Sequence, residues 1–357
     1  GWRIPSANKP VLMDQPLLGD SSPPTCSLAL TAKGREFRVE HRDRLLGRLK
    51  WDKAPFDAMI FEGGGTKGMV YAGVVKRLEQ EALNENVKNF AGTSAGSQTA
   101  TLLAVGYTGD ELEQIMREAP WSHLLDSTPC CNQWWFPTPQ NVWRLLRHFG
   151  WCKGDFLADY LEKLVKAKMQ VDRCTFKQLY EMRGVVLKVG VCNILERKFK
   201  MLSYENAPDM PIALAARASS SIPFIFQPVH FDGKVYVDGG VAGNLPLAFP
   251  RTRSLAVNLV TRSEWTDAEK QQRPPMKFIH FLTDLIETVL SAAQAAGTHG
   301  TDSLDSDEAI AQLAEREHIF ILKVDCEHHG VLETDLSEHA IKSMVAAGWD
   351  ATDYFLS

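Results

Sequence analysis

The sequence contains no apolar run of the ~18 residues needed to span a bilayer as a helix. Its longest candidate, residues 278–296, is interrupted by Asp284 and Glu287. A basic excess is also missing. The 39 Lys and Arg stand against 44 Asp and Glu, a formal net charge of -5, which argues against a nucleic-acid partner. The seven cysteines show neither CxxC nor Cys/His ligand spacing. That favours reduced thiols in a cytosolic setting over a disulfide framework or a zinc site. Residues 1–20 lack the charged and apolar regions of a secretory signal. Of the ten histidines, His280, His299 and His339 have no recognisable catalytic context, and His230 falls in an expected hairpin over 229–237.

The rest of the composition is ordinary for a globular protein, with 45% hydrophobic and 23% charged residues. At 357 residues the chain is long enough for one large domain or two ordinary ones. Residues 1–53 carry Pro5, Pro10, Pro16, Pro23 and Pro24, then a charged stretch, and read as a loosely packed extension. The remainder, 54–357, reads as one domain. Its patterning predicts strands at 56–61, 87–91, 185–194, 198–202, 255–260 and 318–324. Helices are predicted at 69–83, 95–105, 155–169, 210–218, 278–295 and 336–356. Strands alternating with helices imply an α/β fold with a mostly parallel sheet covered on both faces. An insertion at 121–151 breaks the rhythm. It holds Trp121, Trp134, Trp135, Trp143 and Trp151 near Arg144, Arg147 and His148. Aromatics beside cations suit a lipid–water boundary, and they equally suit a satellite core beneath a long insertion.

Three motifs carry chemistry. Gly63-Gly64-Gly65-Thr66-Lys67-Gly68 follows a predicted strand and opens a helix. Such a loop brings backbone N–H groups against a phosphate or the oxyanion of a tetrahedral intermediate. It matches GxGxxG literally, but the second strand ends in Gly92-Thr93-Ser94 without the acid that a ribose requires. A Walker loop fails as well, because no GK[ST] follows. Gly92-Thr93-Ser94-Ala95-Gly96 is the second motif, a GxSxG between a predicted strand and helix. A serine there can be held exposed on a strained turn, with the Ala95 N–H facing the glycine loop. The third is Asp238-Gly239-Gly240, where a strand ends in two glycines. By itself it reads as a turn.

Together, the GGGTKG loop, the GTSAG elbow and the DGG turn resemble the patatin-like phospholipases, which include calcium-independent phospholipase A2 enzymes. Arg217-Ala218-Ser219-Ser220-Ser221-Ile222-Pro223 and Phe226-Gln227-Pro228 are similar to the segment before that family's aspartate. Asp238 to Pro246 also fits, with Leu245 where a second asparagine is common. The resemblance implies a three-layer α/β/α fold with Ser94 as nucleophile and Asp238 as sole general base. It places the oxyanion hole at Gly63, Gly64, Gly65, Thr66, Lys67 and Gly68 with Ala95. Lys67 would steady the loop or approach a lipid phosphate. The resemblance implies no metal and no cofactor. The acidic cluster at 302–308 is no EF-hand, since its sixth residue is Asp307. The expected activity is phospholipase A-type or lysophospholipase hydrolysis at a phospholipid membrane surface, in a cytoplasmic, peripherally membrane-associated protein. An acyltransferase or thioesterase on the same dyad is the alternative, and a dinucleotide-binding protein a more distant one. An aspartate base places the acid limb of kcat/KM below ~6.

Overall fold

The computed structural model describes residues 56–123, 139–260, 318–326 and 336–357, with isolated positions between 285 and 289. The chain divides into Gly1–Lys50 and Trp51–Ser357, and everything described belongs to the second unit. The extension, Trp134, Trp135, the bulk of the predicted helix at 278–295 and the acidic cluster lie outside the described residues.

Strand β1 (Ala58–Phe61) leads through a 3-10 turn (Gly65–Met69) into helix α1 (Val70–Gln80). Then come β2 (Asn89–Thr93), α2 (Ala95–Val105) and α3 (Gly109–Glu118). The insertion contributes α4 (Pro139–His148) and β3 (Gly150–Cys152), followed by α5 (Asp155–Met169) and α6 (Phe176–Arg183). Next are β4 (Val186–Asn193), β5 (Lys198–Leu202), α7 (Ile212–Ser219), β6 (Phe224–Phe226) and the hairpin β7 (Val229–Phe231) to β8 (Lys234–Asp238). β9 (Ser254–Val260), β10 (Ile319–Asp325) and α8 (Glu338–Leu356) complete the set. Helices α3 and α6 were not among the sequence expectations. Each starts with a capping box, Thr108 with Glu111 and Thr175 with Gln178, a signature legible in the sequence.

The fold is α/β around a mostly parallel sheet, ordered β10-β9-β1-β2-β4-β8-β7. The first five strands are parallel. β1 is buried along its whole length, as a central parallel strand must be. The steps β1 to β2 and β2 to β4 go the same way across the sheet, so right-handed crossovers put α1 and α2 on one face. Phe61 packs edge-on against Tyr71 of α1 there, ring centroids 5.0 Å apart. On the other face, Ala58, Ile60, Ala91, Ala256, Ile319 and Ile321 pack with Phe249, backed by Leu245 and Leu247.

β2 extends two residues further than its apolar pattern suggested. Gly92 and Thr93 pair with Val189 and Gly190 of β4, which carries the strand to the threshold of Ser94. Helices α1 and α8 cross at reciprocal glycines. A Cβ on Gly73 would run into the Val345 carbonyl, and one on Gly348 into the Val70 carbonyl. Gly348→Val is therefore expected to cost about 1–3 kcal/mol by overpacking, lowering Tm by roughly 2–4 °C per kcal/mol. An unchanged Tm in a thermal melt would contradict this close crossing.

Candidate active site

Ser94 joins β2 to α2 with φ 50° and ψ -125°, a left-handed region that non-glycine residues rarely occupy. The flanking glycines make that turn possible through space rather than conformation. A Cβ on Gly92 would strike the Gly96 carbonyl, and one on Gly96 would strike the carbonyls of Phe61 and Glu62. The Ser94 N–H donates to Ser219 Oγ at 2.8 Å, and the Ser94 carbonyl accepts from the N–H groups of Ser97 and Gln98. The strained turn is thus tied down on both sides, as a nucleophile elbow requires.

Asp238 reaches Ser94 through the sheet. Val186 to Gly190 of β4 pair with β2, whereas Val191 to Asn193 pair with β8. β5 occupies the opposite edge, along Val189 to Asn193. β2 and β8 must therefore follow one another along the same edge of β4. Thr93 lies opposite Gly190 and Asp238 opposite Val191. The Asp238 N–H donates to the Ser221 carbonyl at 2.9 Å, and Asp238 Oδ1 accepts from the Gly240 N–H at 2.8 Å. A Cβ on Gly239 would collide with the Gly190 carbonyl, so the turn after Asp238 accepts little but glycine.

The Asp238 carboxyl is buried, and among the described residues Oδ2 has no hydrogen-bond partner of ordinary geometry. Burial pushes its pKa from an ordinary 3.8 up to about 7, while the adjacent Ser94 hydroxyl and the Gly240 amide pull it back. Among the described residues, no histidine lines the space around Ser94.

The glycine loop divides its labour. Gly65, Thr66 and Gly68 line the cavity with Ser94 and Ala95. Gly63 packs beside the Ser94 side chain but spends its N–H on the Asn244 carbonyl at 3.1 Å. The Lys67 N–H is spent on the Gly64 carbonyl, closing the 3-10 turn. The amides of Gly63 and Lys67, expected from sequence among the oxyanion donors, are thus hydrogen-bonded to these carbonyls. The first amides of a helix have no partner within it, a position held by Gly65 after its cap residue Gly64 and by Ala95 at the start of α2. The Lys67 side chain is buried within electrostatic reach of Glu62 and Cys326, away from the cavity.

Glu62 gave no signal in the sequence beyond preceding the glycines. Its carboxylate is buried and accepts from Asn258 Nδ2 at 2.7 Å, the Leu259 N–H at 2.6 Å and Asn244 Nδ2 at 3.1 Å. Asn244 Nδ2 also donates to the Gly63 carbonyl at 2.9 Å. One carboxylate therefore ties the loop to β9 and to the segment after Asp238. Burial lifts Glu62 to about 7, opposed by these hydrogen bonds and by Lys67.

The segment 217–228 is the bracket behind both residues. Arg217 is buried, with Nε donating to the Gly154 carbonyl at 2.9 Å and Nη2 to those of Lys153 and Gln227. Ser219 holds the Ser94 amide, Ser221 holds the Asp238 amide, and Ser220 Oγ accepts from Gln98 Nε2 at 2.9 Å. Each serine of the Ser-Ser-Ser run has its own partner.

Ser94 opens onto a cavity of about 1040 Å³, its open mouth included, between α2, α3 and α5. Leu102, Leu112, Ile115, Leu161 and Leu164 form its walls, with Trp121, Phe156 and Phe226 among its aromatics. Among the described residues, no charged side chain lines it.

The family model for patatin-like phospholipases matches residues 59–250, which span the elbow, the glycine loop and Asp238. The chain belongs to the patatin-like phospholipase family. Among patatin-like and other curated proteins, it is 30% identical over 310 residues to "Uncharacterized protein YqhO" of Bacillus subtilis, covering 83% of this chain and 97% of that protein. It is 28% identical over 192 residues to "Probable lipid hydrolase 463L" of Invertebrate iridescent virus 6, covering 54% of this chain and 62% of that one. The structure of VipD from Legionella pneumophila superposes with a TM-score of 0.53 at 18% identity. That alignment covers 85% of this chain and 67% of VipD and bears on the fold alone. Family membership supports a lipid hydrolase with lipid substrates.

The two raised carboxyls of the patatin-like domain give a pH dependence with a definite sign. Between about pH 4 and 7 the folded protein keeps protons on Asp238 and Glu62 that the unfolded chain has released. Stability contributed by these groups is therefore lost as pH rises through that window. Asp238→Asn is expected to flatten the fall in Tm between pH 5 and 8. A slope equal to that of the wild type would show that Asp238 is not raised.

Proposed function

We propose that the protein hydrolyses fatty-acyl esters of membrane phospholipids through an acyl-enzyme on Ser94, with Asp238 as its general base. The observation that carries this reading is the uncharged, apolar cavity opening onto a strained serine beside a buried carboxylate. Its apolar lining suits an acyl chain. The catalytic unit is residues 54–357, with 1–53 outside it, working at the membrane surface.

Asp238 accepts the proton of Ser94 Oγ as that oxygen attacks the ester carbonyl. The N–H groups of Gly64, Gly65 and Ala95 hold the developing oxyanion. Collapse of the tetrahedral intermediate expels the lysolipid oxygen, which takes the proton from Asp238. Water then attacks the acyl-enzyme, Asp238 again accepting a proton, and Ser94 regains its own as the fatty acid leaves. Proton transfer falls to Asp238 and charge stabilisation to backbone amides, so the cycle uses no metal or cofactor. Acyl transfer to another alcohol, or cleavage of a thioester, would share every step but the acceptor or leaving group. The dinucleotide reading is disfavoured, because among the described residues the cavity beside the loop has no cation, and the tip of β2 has no acid.

Ser94→Ala and Asp238→Asn are each expected to lower ester hydrolysis at least ~100-fold in folded protein. Ser94→Ala is also expected to abolish labelling by a fluorophosphonate. Retention of more than roughly a tenth of the activity in Asp238→Asn would sink the dyad. With Asp238 near 7, the acid limb of kcat/KM is expected near 7, above the limit of ~6 inferred from sequence. Glu62→Gln is expected to leave that limb in place. A limb that moves with Glu62 would assign the titration to the wrong carboxyl.

A further inference from the structure

We infer that helix α4, with Phe149 and Phe224, is the face by which the protein sits on an anionic lipid–water interface beside the mouth of the Ser94 cavity. The inference rests on the phospholipid reading above and names its docking surface. Val142, Trp143, Leu146 and Phe149 recur at helical spacing, a stripe that a water-soluble helix ordinarily turns inward. Here the stripe is open: Trp143 is 59% exposed, Leu146 74% and Phe149 66%.

Phe224, 54% exposed, joins them across the sheet. Gly150, directly after Phe149, pairs with Phe224 in the β3–β6 ladder. Both phenylalanines sit at positive φ, 59° for Phe149 and 68° for Phe224. Bulky residues are outliers there, and glycine or asparagine would relieve the strain. Two strained, outward-facing phenylalanines side by side are costly in water and useful only where something apolar receives them.

The patch continues into the cavity. Phe226, two residues along β6 and paired with Cys152, lines the space in front of Ser94. At ~3.3 Å per strand residue, the exposed ring and the cavity wall are about 7 Å apart along the chain. A lipid seated on α4 thus lies next to the entrance its acyl chain would take.

Charge favours lipid over a second copy. Residues 139–149 contain Arg144 and Arg147 and no acid, in a chain of formal net charge -5. Arg144 Nη1 anchors the helix through the Trp151 carbonyl at 3.0 Å. A two-fold contact through this face would bring like-charged helices together, whereas aromatic residues flanked by cations match an anionic headgroup layer.

The test is co-sedimentation with vesicles, using Ser94→Ala protein so that no lipid is consumed. Vesicles of phosphatidylcholine alone are compared with vesicles that also contain phosphatidylserine. The combined change Trp143→Ser, Leu146→Ser and Phe149→Asn is expected to weaken partition at least tenfold with Tm maintained. Arg147→Glu is expected to weaken binding only to the phosphatidylserine vesicles. On the Ser94 background, the combined variant is expected to keep its rate on a monomeric soluble ester while losing vesicle hydrolysis. Vesicle binding unchanged by the combined variant, or absent in the parent, would overturn the proposal. So would a parental dimer in sedimentation velocity that the same substitutions dissolve, since a second copy would then cover the face. No esterase activity in the wild-type Ser94 protein, with this vesicle binding intact, would instead refute the phospholipase reading and leave the surface standing.

Discussion

One edge of β4 serves two strands, the parallel β2 as far as Gly190 and the antiparallel β8 from Val191 onward. No register slip is compatible with this handover, because moving β8 by one residue would turn Asp238 to the other side of the sheet. The approach is closed further by backbone meeting backbone. Gly92, Gly96 and Gly239 each lie where a Cβ would strike a carbonyl. The glycines of the elbow and of the DGG turn are therefore requirements of clearance, since none of these three sits at positive φ. Ser94 and Asp238 meet because three chain segments approach more closely than side chains would allow.

The site is also where the fold holds features that oppose its own stability. Ser94 is in a strained conformation, Arg217 is a buried cation held by neutral oxygens, and Asp238 and Glu62 are buried acids. Burial raises both acids to about 7, so each is readily protonated in the folded protein. The two differ in surroundings. The Glu62 carboxylate is surrounded by donors, three of them within 3.1 Å, and acts as a structural tie. Among the described residues, Asp238 Oδ2 has no ordinary partner, and it lies next to the Ser94 hydroxyl. An acceptor kept under-satisfied beside a hydroxyl is suited to take a proton, whereas a fully bonded one is suited to hold a loop.

Much of this was legible in the sequence where the signal is local. Helices α2 and α5 and strand β5 lie where periodicity put them, and GTSAG sits at the strand-to-helix turn its spacing implied. Helices α3 and α6 could have been found from their Thr-x-x-Glu and Thr-x-x-Gln caps. The proximity of Asp238 to Ser94 was legible only through family resemblance, because it depends on pairings between strands far apart in the chain. The Glu62 tie to Asn244 and Asn258 was hidden for the same reason. The commitment of the Gly63 and Lys67 amides depends on hydrogen bonds that a motif does not display.

The central claim is that Ser94 carries the acyl group while backbone amides of the glycine loop and Ala95 hold its oxyanion. A crystal structure of the protein inhibited by a long-chain fluorophosphonate tests it most directly. The account places phosphorus on Ser94 Oγ, the phosphonyl oxygen about 2.7–3.1 Å from the amides of Gly64, Gly65 and Ala95, and the alkyl chain between α2, α3 and α5. An adduct on another residue, or a phosphonyl oxygen turned from those amides toward a histidine side chain, would contradict it.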